Sequence, residues 1–469
     1  MKKIIFTLAV IALAAGCNKT DTDGPQPIIF DESGIFVNED GSVIIQAKIK
    51  TTSSETFDEV PVGDVSKALL ACVDSNLVAS ESKKQVKCNN VFILERDGIY
   101  YYDGACKLTS TSPLTIKAAS GKGERPVIQG IASSTGSIPA TFLNCYSTDF
   151  NLEGIHINGA DAVSGSFSGT RVIQFNTANA TMHINDCFCE NAQSAFFRMA
   201  NDGYSFYITN STFRNTGGTN GINNGRVLDT RGKAGKYVEF KNCVFYGIQG
   251  PIVHMMSKAA LIDEVIFRNN TLWNCAGCFE HGYPRTVLYE NNIIANTGYW
   301  NEAFGALPLN DETLVKLGQV YDPSRYGKIS HPIFDFELCP TSDYANVKSI
   351  IIRNNNFFDT EDLKKIVKDH SKTAAEVEGV GIAGSELIEA GKLVYEKNFS
   401  EVLAFSDPSP VGYKYISVYF DDPANNFNQA APFEGLTYWF SEKEYSFSYP
   451  SSSKSATAST TGGPIGASL

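Results

Sequence analysis

Five polar residues at the ends of short apolar runs carry most of the chemistry open to this chain. They are Gln174 in Val172-Ile-Gln, Arg198 in Phe196-Phe-Arg, Asp229 in Val227-Leu-Asp, His254 in Ile252-Val-His and Glu280 in Cys278-Phe-Glu. Alternate side chains of a strand face opposite ways, so Ile173, Phe197, Leu228, Val253 and Phe279 point inward and the polar five outward. Stacked as parallel strands, the five form one column with about 4.8 Å between neighbours. Asp229 and Glu280 then stand two rungs apart, about 9.6 Å. That is close to the upper limit for an inverting acid/base pair with a water between its carboxyls, and His254 between them can tune the acid. The same column supports a different chemistry. Arg198 or Arg231 can neutralise a substrate carboxylate while His254 removes the adjacent proton. The next outward positions are Asn176, Ala200, Arg231, Met256 and Gly282. Gln174, Asn176, Arg231 and Tyr283 are the expected ligand-binding residues beside the catalytic candidates Arg198, Asp229, His254 and Glu280.

Such a column exists only if the chain stacks in register, and a repeated phrase says that it does. Met182-His-Ile-Asn-Asp186-Cys-Phe-Cys189-Glu-Asn191 is followed by Phe206-Tyr-Ile-Thr-Asn210-Ser-Thr-Phe213-Arg-Asn215. Further copies start at Val238, Val265 and Val287, and outliers start at Phe150 and Ile350. From Met182 to Val287 the starts differ by 24, 32, 27 and 22 residues, the period of a solenoid whose single coil cannot bury its own apolar side. Each phrase alternates, turns at a polar residue and alternates again. That residue is Gly154, Asp186, Asn210, Asn242, Asn269, Asn291 and Asn354 in successive copies. Glycine and asparagine tolerate left-handed backbone, and stacked asparagine amides can bond the rung above and below. A leucine-rich repeat would need a Leu-rich consensus and a helix per repeat, and neither is present.

Over residues 89 to 358 this pattern resembles the asparagine ladder of right-handed parallel β-helices of the pectate-lyase-like type. The order Val91-Phe-Ile-Leu, Asp97-Gly98, Tyr100-Tyr-Tyr, Leu114-Thr-Ile, Pro126-Val-Ile is similar to the opening coils of that family. The resemblance implies an all-β fold, a right-handed single-stranded parallel β-helix (solenoid) with an N-terminal helical cap and a mixed C-terminal cap. It also implies a site on the strand after the turn opposite the ladder, where the polar column falls. Lyases of this type usually use a Lys or Arg base, often with calcium held by clustered acids, and its hydrolases carry closely paired aspartates. The column has no Lys, no acidic cluster and no such pair. No cofactor or metal ligand set is therefore assigned, and calcium stays open without support.

The amino terminus, Met1-Lys-Lys-Ile-Ile-Phe-Thr-Leu-Ala-Val-Ile-Ala-Leu-Ala-Ala-Gly16-Cys17, reads as an export signal over residues 1–16. Ala14-Ala-Gly-Cys17 resembles a bacterial lipobox, which implies lipidation of Cys17 and a membrane anchor. Asn18-Lys-Thr-Asp-Thr-Asp23 is similar to the acidic tether of surface-exposed lipoproteins, so the expected place is the outer face of the outer membrane. A net charge of −12 argues against general nucleic-acid binding. Of eleven cysteines, Cys187, Cys189, Cys243, Cys275 and Cys278 fall inside the repeats and read as buried, stacked thiols. Cys275-Ala-Gly-Cys278 has the spacing of a redox or zinc pair but lacks a second pair and a helix start.

Residues 17–60 read as a tether with weak strands, best at Ser42–Ile49, and residues 61–358 as the β-helix. Asp64 to Val73 is an amphipathic helix with Val65, Leu69, Cys72 and Val73 on one face, suited to closing the open end of the solenoid. Five breaks at Trp300, Pro308, Pro323, Pro332 and Pro340 mark an insertion over 298–349. Residues 359–469 form the second cap, with helical signals at Thr360–Asp369 and Gly384–Tyr395 and strand-like runs at Tyr413–Phe420 and Leu436–Tyr449.

These features point to a monomeric cell-surface lipoprotein that binds or processes polysaccharide in a groove walled by Ala160–Thr170 and Thr216–Gly225. Tyr204, Tyr207, Tyr246, Trp273, Tyr283 and Trp300 are possible stacking platforms. A lyase or hydrolase with its site on this face is one alternative, and a structural or adhesive surface protein another. The plain alternative for the column is a solvated sheet face with unlike charges paired. His156, His183 and His281 read as packing or surface residues.

Overall fold

The structure is a computed structural model describing residues 34–47, 65–133, 136–137, 139–162, 164–165, 167, 169–217, 225–248, 250–255, 261–275, 277–280, 284–297, 346–363, 365, 391–408 and 445–469. The signal and lipidation site at Cys17, residues 298–345 of the expected insertion, His281, Tyr283, Trp300 and the run Tyr413–Phe420 lie outside the described residues, as do the side chains of residues 277–280; the last expected residue of the insertion, Ser349, already belongs to the strand Ser349–Arg353.

The chain winds as a right-handed parallel β-helix. From Val91 to Glu280 each coil gives one strand to each of three sheets, which have twelve, nine and seven strands among the described residues. One coil runs through Thr181–Asn185, Phe188–Glu190 and Ala195–Met199. Every neighbouring pair in the three sheets is parallel except Ile35–Val37 with Val43–Ile45, which closes the amino-terminal edge. The solenoid therefore begins before residue 61, because Val43–Ile45 pairs with Val91–Leu94.

The repeated phrase spans the corner between the twelve- and nine-stranded sheets. Asp186, Asn210, Asn242, Asn269, Asn291 and Asn354 all have φ between 50° and 61° there, and Gly154 has 68°. These short polar residues occupy the left-handed region at low cost, and the corner needs it. Their expected continuous ladder does not form. Among them only Asn242 Nδ2 donates to an equivalent amide, Asn210 Oδ1 at 2.8 Å, while Asn210 turns to Asn185. The continuous ladder lies one residue later and inside: Asn270 Nδ2 donates to Asn292 Oδ1, Asn292 to Asn355 and Asn355 to Asn398, at 2.9–3.1 Å. Each of these oxygens also accepts the backbone N–H of the asparagine one coil back. In the earlier coils Cys187, Ser211 and Cys243 hold the same inward place, where a small side chain fits.

One apolar cluster fills the solenoid along its length. Stacked and tilted aromatic contacts run through it, such as Phe213 on Phe245 at 5.4 Å and Phe267 on Tyr289 at 4.7 Å. Eight described cysteines are buried thiols outside any disulfide, among them Cys187, Cys189, Cys243 and Cys275 of the stacked-thiol reading. The helix Val65–Cys72 buries Val65, Ala68, Leu69 and Cys72 and packs on Cys106–Leu108, Ile99–Tyr102 and Val43–Ile45, closing the first coil.

At the other end the expected helix over Gly384–Tyr395 fails in its last part. Leu393–Glu396 is a strand that pairs with Ser349–Arg353, because the sheet edge rewards Val394 and Tyr395 with a ladder. The described carboxy-terminal residues do more than cover the end. Leu403, Phe405, Tyr445, Phe447, Tyr449 and Ile465 pack on Val244, Tyr246, Trp273, Ile293, Ala295 and Phe358, on the nine-stranded sheet. Corner asparagines hold this segment: Asn354 donates to Ala458 O at 2.7 Å, Asn291 accepts Thr460 N at 3.0 Å, and Asn242 accepts Ser468 N at 2.8 Å.

Candidate functional site

The seven-stranded sheet carries the polar column, and its register is the expected one. Gln174 pairs with Arg198, Arg198 with Asp229, Asp229 with His254 and His254 with Glu280. Asn144 and Lys107 extend it by two rungs. The alternating inward partners Ile173, Phe197, Leu228 and Val253 sit in the core, which fixes the outward direction of the polar set.

Asp229 is fully buried and organises the cluster. Its Oδ2 accepts Arg198 Nε at 2.9 Å and Arg226 Nη1 at 3.1 Å. Its Oδ1 faces His254 Nδ1 at 3.1 Å and accepts the Arg231 backbone N–H at 3.0 Å. Four donors thus fill the four acceptor positions of one carboxylate. Burial alone raises the pKa of Asp229; the hydrogen bond with His254 and the charges of Arg226, His254 and Arg198 outweigh it and hold the carboxyl well below the usual range. Such a group has neither a proton to give at neutral pH nor a vacant lone pair for a water. The geometry therefore removes Asp229 from an acid/base pair with Glu280 and makes it the group that orients His254 and both arginines. His254 is itself 3% exposed, so its ring is held in one orientation against the carboxylate.

Arg226 is the member that sequence reasoning missed. It stands three residues before Asp229, at the start of the strand, outside the period-two column. Arg231 lies past the strand end Asp229, in a turn with φ 53°, so it is not the second rung position expected of it. It is exposed, as are Arg171 and Lys107. Gln174 and Asn176 are half-buried and bonded to each other, Nε2 to Oδ1 at 2.7 Å. Met256 and Gly282 lie outside the described residues.

The aromatic platforms fare differently. Tyr204 is in the core, 1% exposed. Tyr246 and Trp273 are covered by the carboxy-terminal segment. Tyr207 is on the twelve-stranded sheet, stacked between His183 at 4.8 Å and Tyr237 at 4.8 Å. None of these four faces the column. His156 pairs with Glu190 at 2.8 Å on the nine-stranded sheet, beside the buried Arg214. Among the described residues no group of three or more His, Cys, Asp or Glu side chains is arranged to hold a metal ion. No protein-family model matches the chain, and no curated protein matches it in sequence.

Proposed function

We propose that this chain is an exported, lipid-anchored surface protein that holds an acidic polysaccharide along its seven-stranded sheet. One observation carries the reading. In a chain of net charge −12, Arg171, Arg198, Arg226 and Arg231 gather on this face near a single buried carboxylate, Asp229, and Lys107 stands on the same column four rungs away. Basic groups concentrated on one face of an acidic protein attract and orient anions there. The column from Lys107 to Glu280 spans seven rungs, about 29 Å, the reach of an extended polymer rather than of a small molecule. Anchoring at Cys17 supplies the place where such a polymer is met, at the surface of the outer membrane.

A second reading is eliminative cleavage of the same polymer. The observation that favours it is the contact of His254 Nδ1 with Asp229 Oδ1, a histidine oriented by a carboxylate, on the face that also carries the exposed Arg231. Hydrolysis by Asp229 and Glu280 is not supported, for the reasons given above.

The test is titration of the form lacking residues 1–23 with acidic and neutral polysaccharides, followed by isothermal calorimetry. Binding of acidic polymers, weakened by salt, is expected; equal or no binding of both classes defeats the reading. Absorbance of an unsaturated uronate would mark the eliminative activity, lost in His254→Ala while binding persists.

A further inference from the structure

We infer that the polymer is gripped on the first three rungs of this face, where Arg171 takes its anionic groups and the amides of Asn144 and Gln174 take its hydroxyls. The inference deepens the acidic-polymer reading and rests on it.

The column divides into an engaged part and an open part. Arg198 and Arg226 both bond Asp229, whose other oxygen holds His254. The three rungs before them are Lys107, Asn144 and Gln174, in register with Arg198. Among the described residues the side chains of Lys107 and Asn144 have no hydrogen-bond or ion-pair partner. Gln174 gives an Nε2 proton to Asn176 Oδ1 at 2.7 Å, and its Oε1 accepts from no described donor. From Lys107 to Gln174 is two rung steps, about 9.6 Å. Amides so placed offer the donors and acceptors that sugar hydroxyls require.

Arg171 completes the open part. The chain has eleven arginines, and all but Arg325 are described. Eight of those ten bond a carboxylate or a backbone carbonyl through the guanidinium, and Arg231 makes a further contact. Arg171 is the one whose side chain has no partner among the described residues, and it is exposed.

Its root is nonetheless fixed. Arg171 N–H donates to Ala140 O at 3.2 Å on the coil before, and Val172 N–H to Ala195 O at 3.1 Å on the coil after. Gln174 follows three residues on, in the strand Ile173–Phe175. Burial above all lowers the pKa of Arg198, and the charges of Arg231 and Arg171 act in the same sense, so Arg171 lies beside the rest of the basic face.

A guanidinium in this position meets a carboxylate or sulfate with two parallel N–H donors and has no internal pair to break first. Arg198 and Arg226 could do the same only by leaving Asp229 as a bare buried charge, which is strongly unfavourable. Lys107 adds a second open cation at the far rung.

Calorimetry on the form lacking residues 1–23, which keeps every described residue, tests the inference with polygalacturonate and heparin as carboxylate and sulfate probes. Arg171→Ala should weaken binding about ten-fold or more, with a shallower salt dependence, while Tm moves by less than about 2 °C. The probe that loses more identifies the group that Arg171 takes. Arg171→Lys should keep the salt dependence and lose part of the affinity. Asn144→Ala combined with Gln174→Ala should weaken binding about five-fold at unchanged salt dependence. Lys241→Ala, which removes an exposed charge from the twelve-stranded sheet, should change affinity less than about two-fold. A loss in Arg171→Ala no greater than in Lys241→Ala, or a larger fall in its Tm, overturns the inference while leaving the acidic-polymer reading intact. Failure of the unsubstituted protein to bind either probe overturns that reading instead.

Discussion

Asn270 and Asn292, one coil apart, share two hydrogen bonds inside the solenoid. Asn270 Nδ2 donates to Asn292 Oδ1 at 3.1 Å, and the same oxygen takes the Asn270 backbone N–H at 2.9 Å. Asn292 Nδ2 in turn donates to Phe267 O and to Asn355 Oδ1, both at 2.9 Å. Neither residue is exposed. Asn292→Ala strands two donors and two acceptors away from water and should cost about 3 kcal/mol or more. Asn269→Gly keeps the left-handed corner and should change stability by less than about 1 kcal/mol. Urea midpoints of the two variants measure the contrast; equal losses would mean that the corner, and not the inner row, carries the ladder.

The buried carboxylates make stability fall in acid. Asp229 and Glu190 both have folded pKa values depressed from 3.8 and 4.5, burial being outweighed by their histidine and arginine partners. A depressed carboxylate contributes stability that is present above its unfolded pKa and is lost as pH falls through the folded value. Tm should therefore drop from about pH 5 downward. Asp229→Asn leaves Arg198 and Arg226 buried beside a neutral group, costs about 3–5 kcal/mol at pH 7 and flattens the acid limb. Melts from pH 3 to pH 8 check both.

The thiols of the core should be silent in the native state. Burial pushes Cys145, Cys187 and Cys243 up to about 12. A thiol reagent at pH 8 should leave these three unmodified for as long as the fold persists and label them in denaturant, as peptide mapping would show. Native labelling of Cys187 or Cys243 would contradict their place in the stack.

The carboxy-terminal segment should be structural. Phe405 is 8% exposed and meets Trp273 edge-on with ring centroids 5.3 Å apart. Phe405→Ala should cost about 3 kcal/mol and open Trp273 to acrylamide quenching. A variant with unaltered quenching and Tm would detach the segment from the sheet.

The polar column was legible because two local rules suffice for it. Strand side chains alternate, and a coil of conserved geometry returns each strand to the same parity, so Arg198, Asp229 and His254 fall in line without any knowledge of loops. The ladder was misplaced by one residue because a left-handed corner interrupts that alternation. In Asn269-Asn270, Asn291-Asn292 and Asn354-Asn355 the doubled asparagine does not say which of the two faces inward. The signal was nonetheless present, since the second position of each corner is Cys187, Ser211 or Cys243 elsewhere, small residues of a packed core.

The sequence by itself thus determined the solenoid, its coil period and the direction of Gln174, Arg198, Asp229 and His254, all properties of residues close together in the chain. Tertiary structure decided which charges neutralise one another and which aromatics stay dry. Arg226 joins Asp229 through a contact that no periodicity encodes. Tyr246 and Trp273 lie under Phe405 and Phe447, residues more than a hundred positions away. Alternation and turn preference act over a few bonds, whereas pairing and covering depend on where distant segments come to rest.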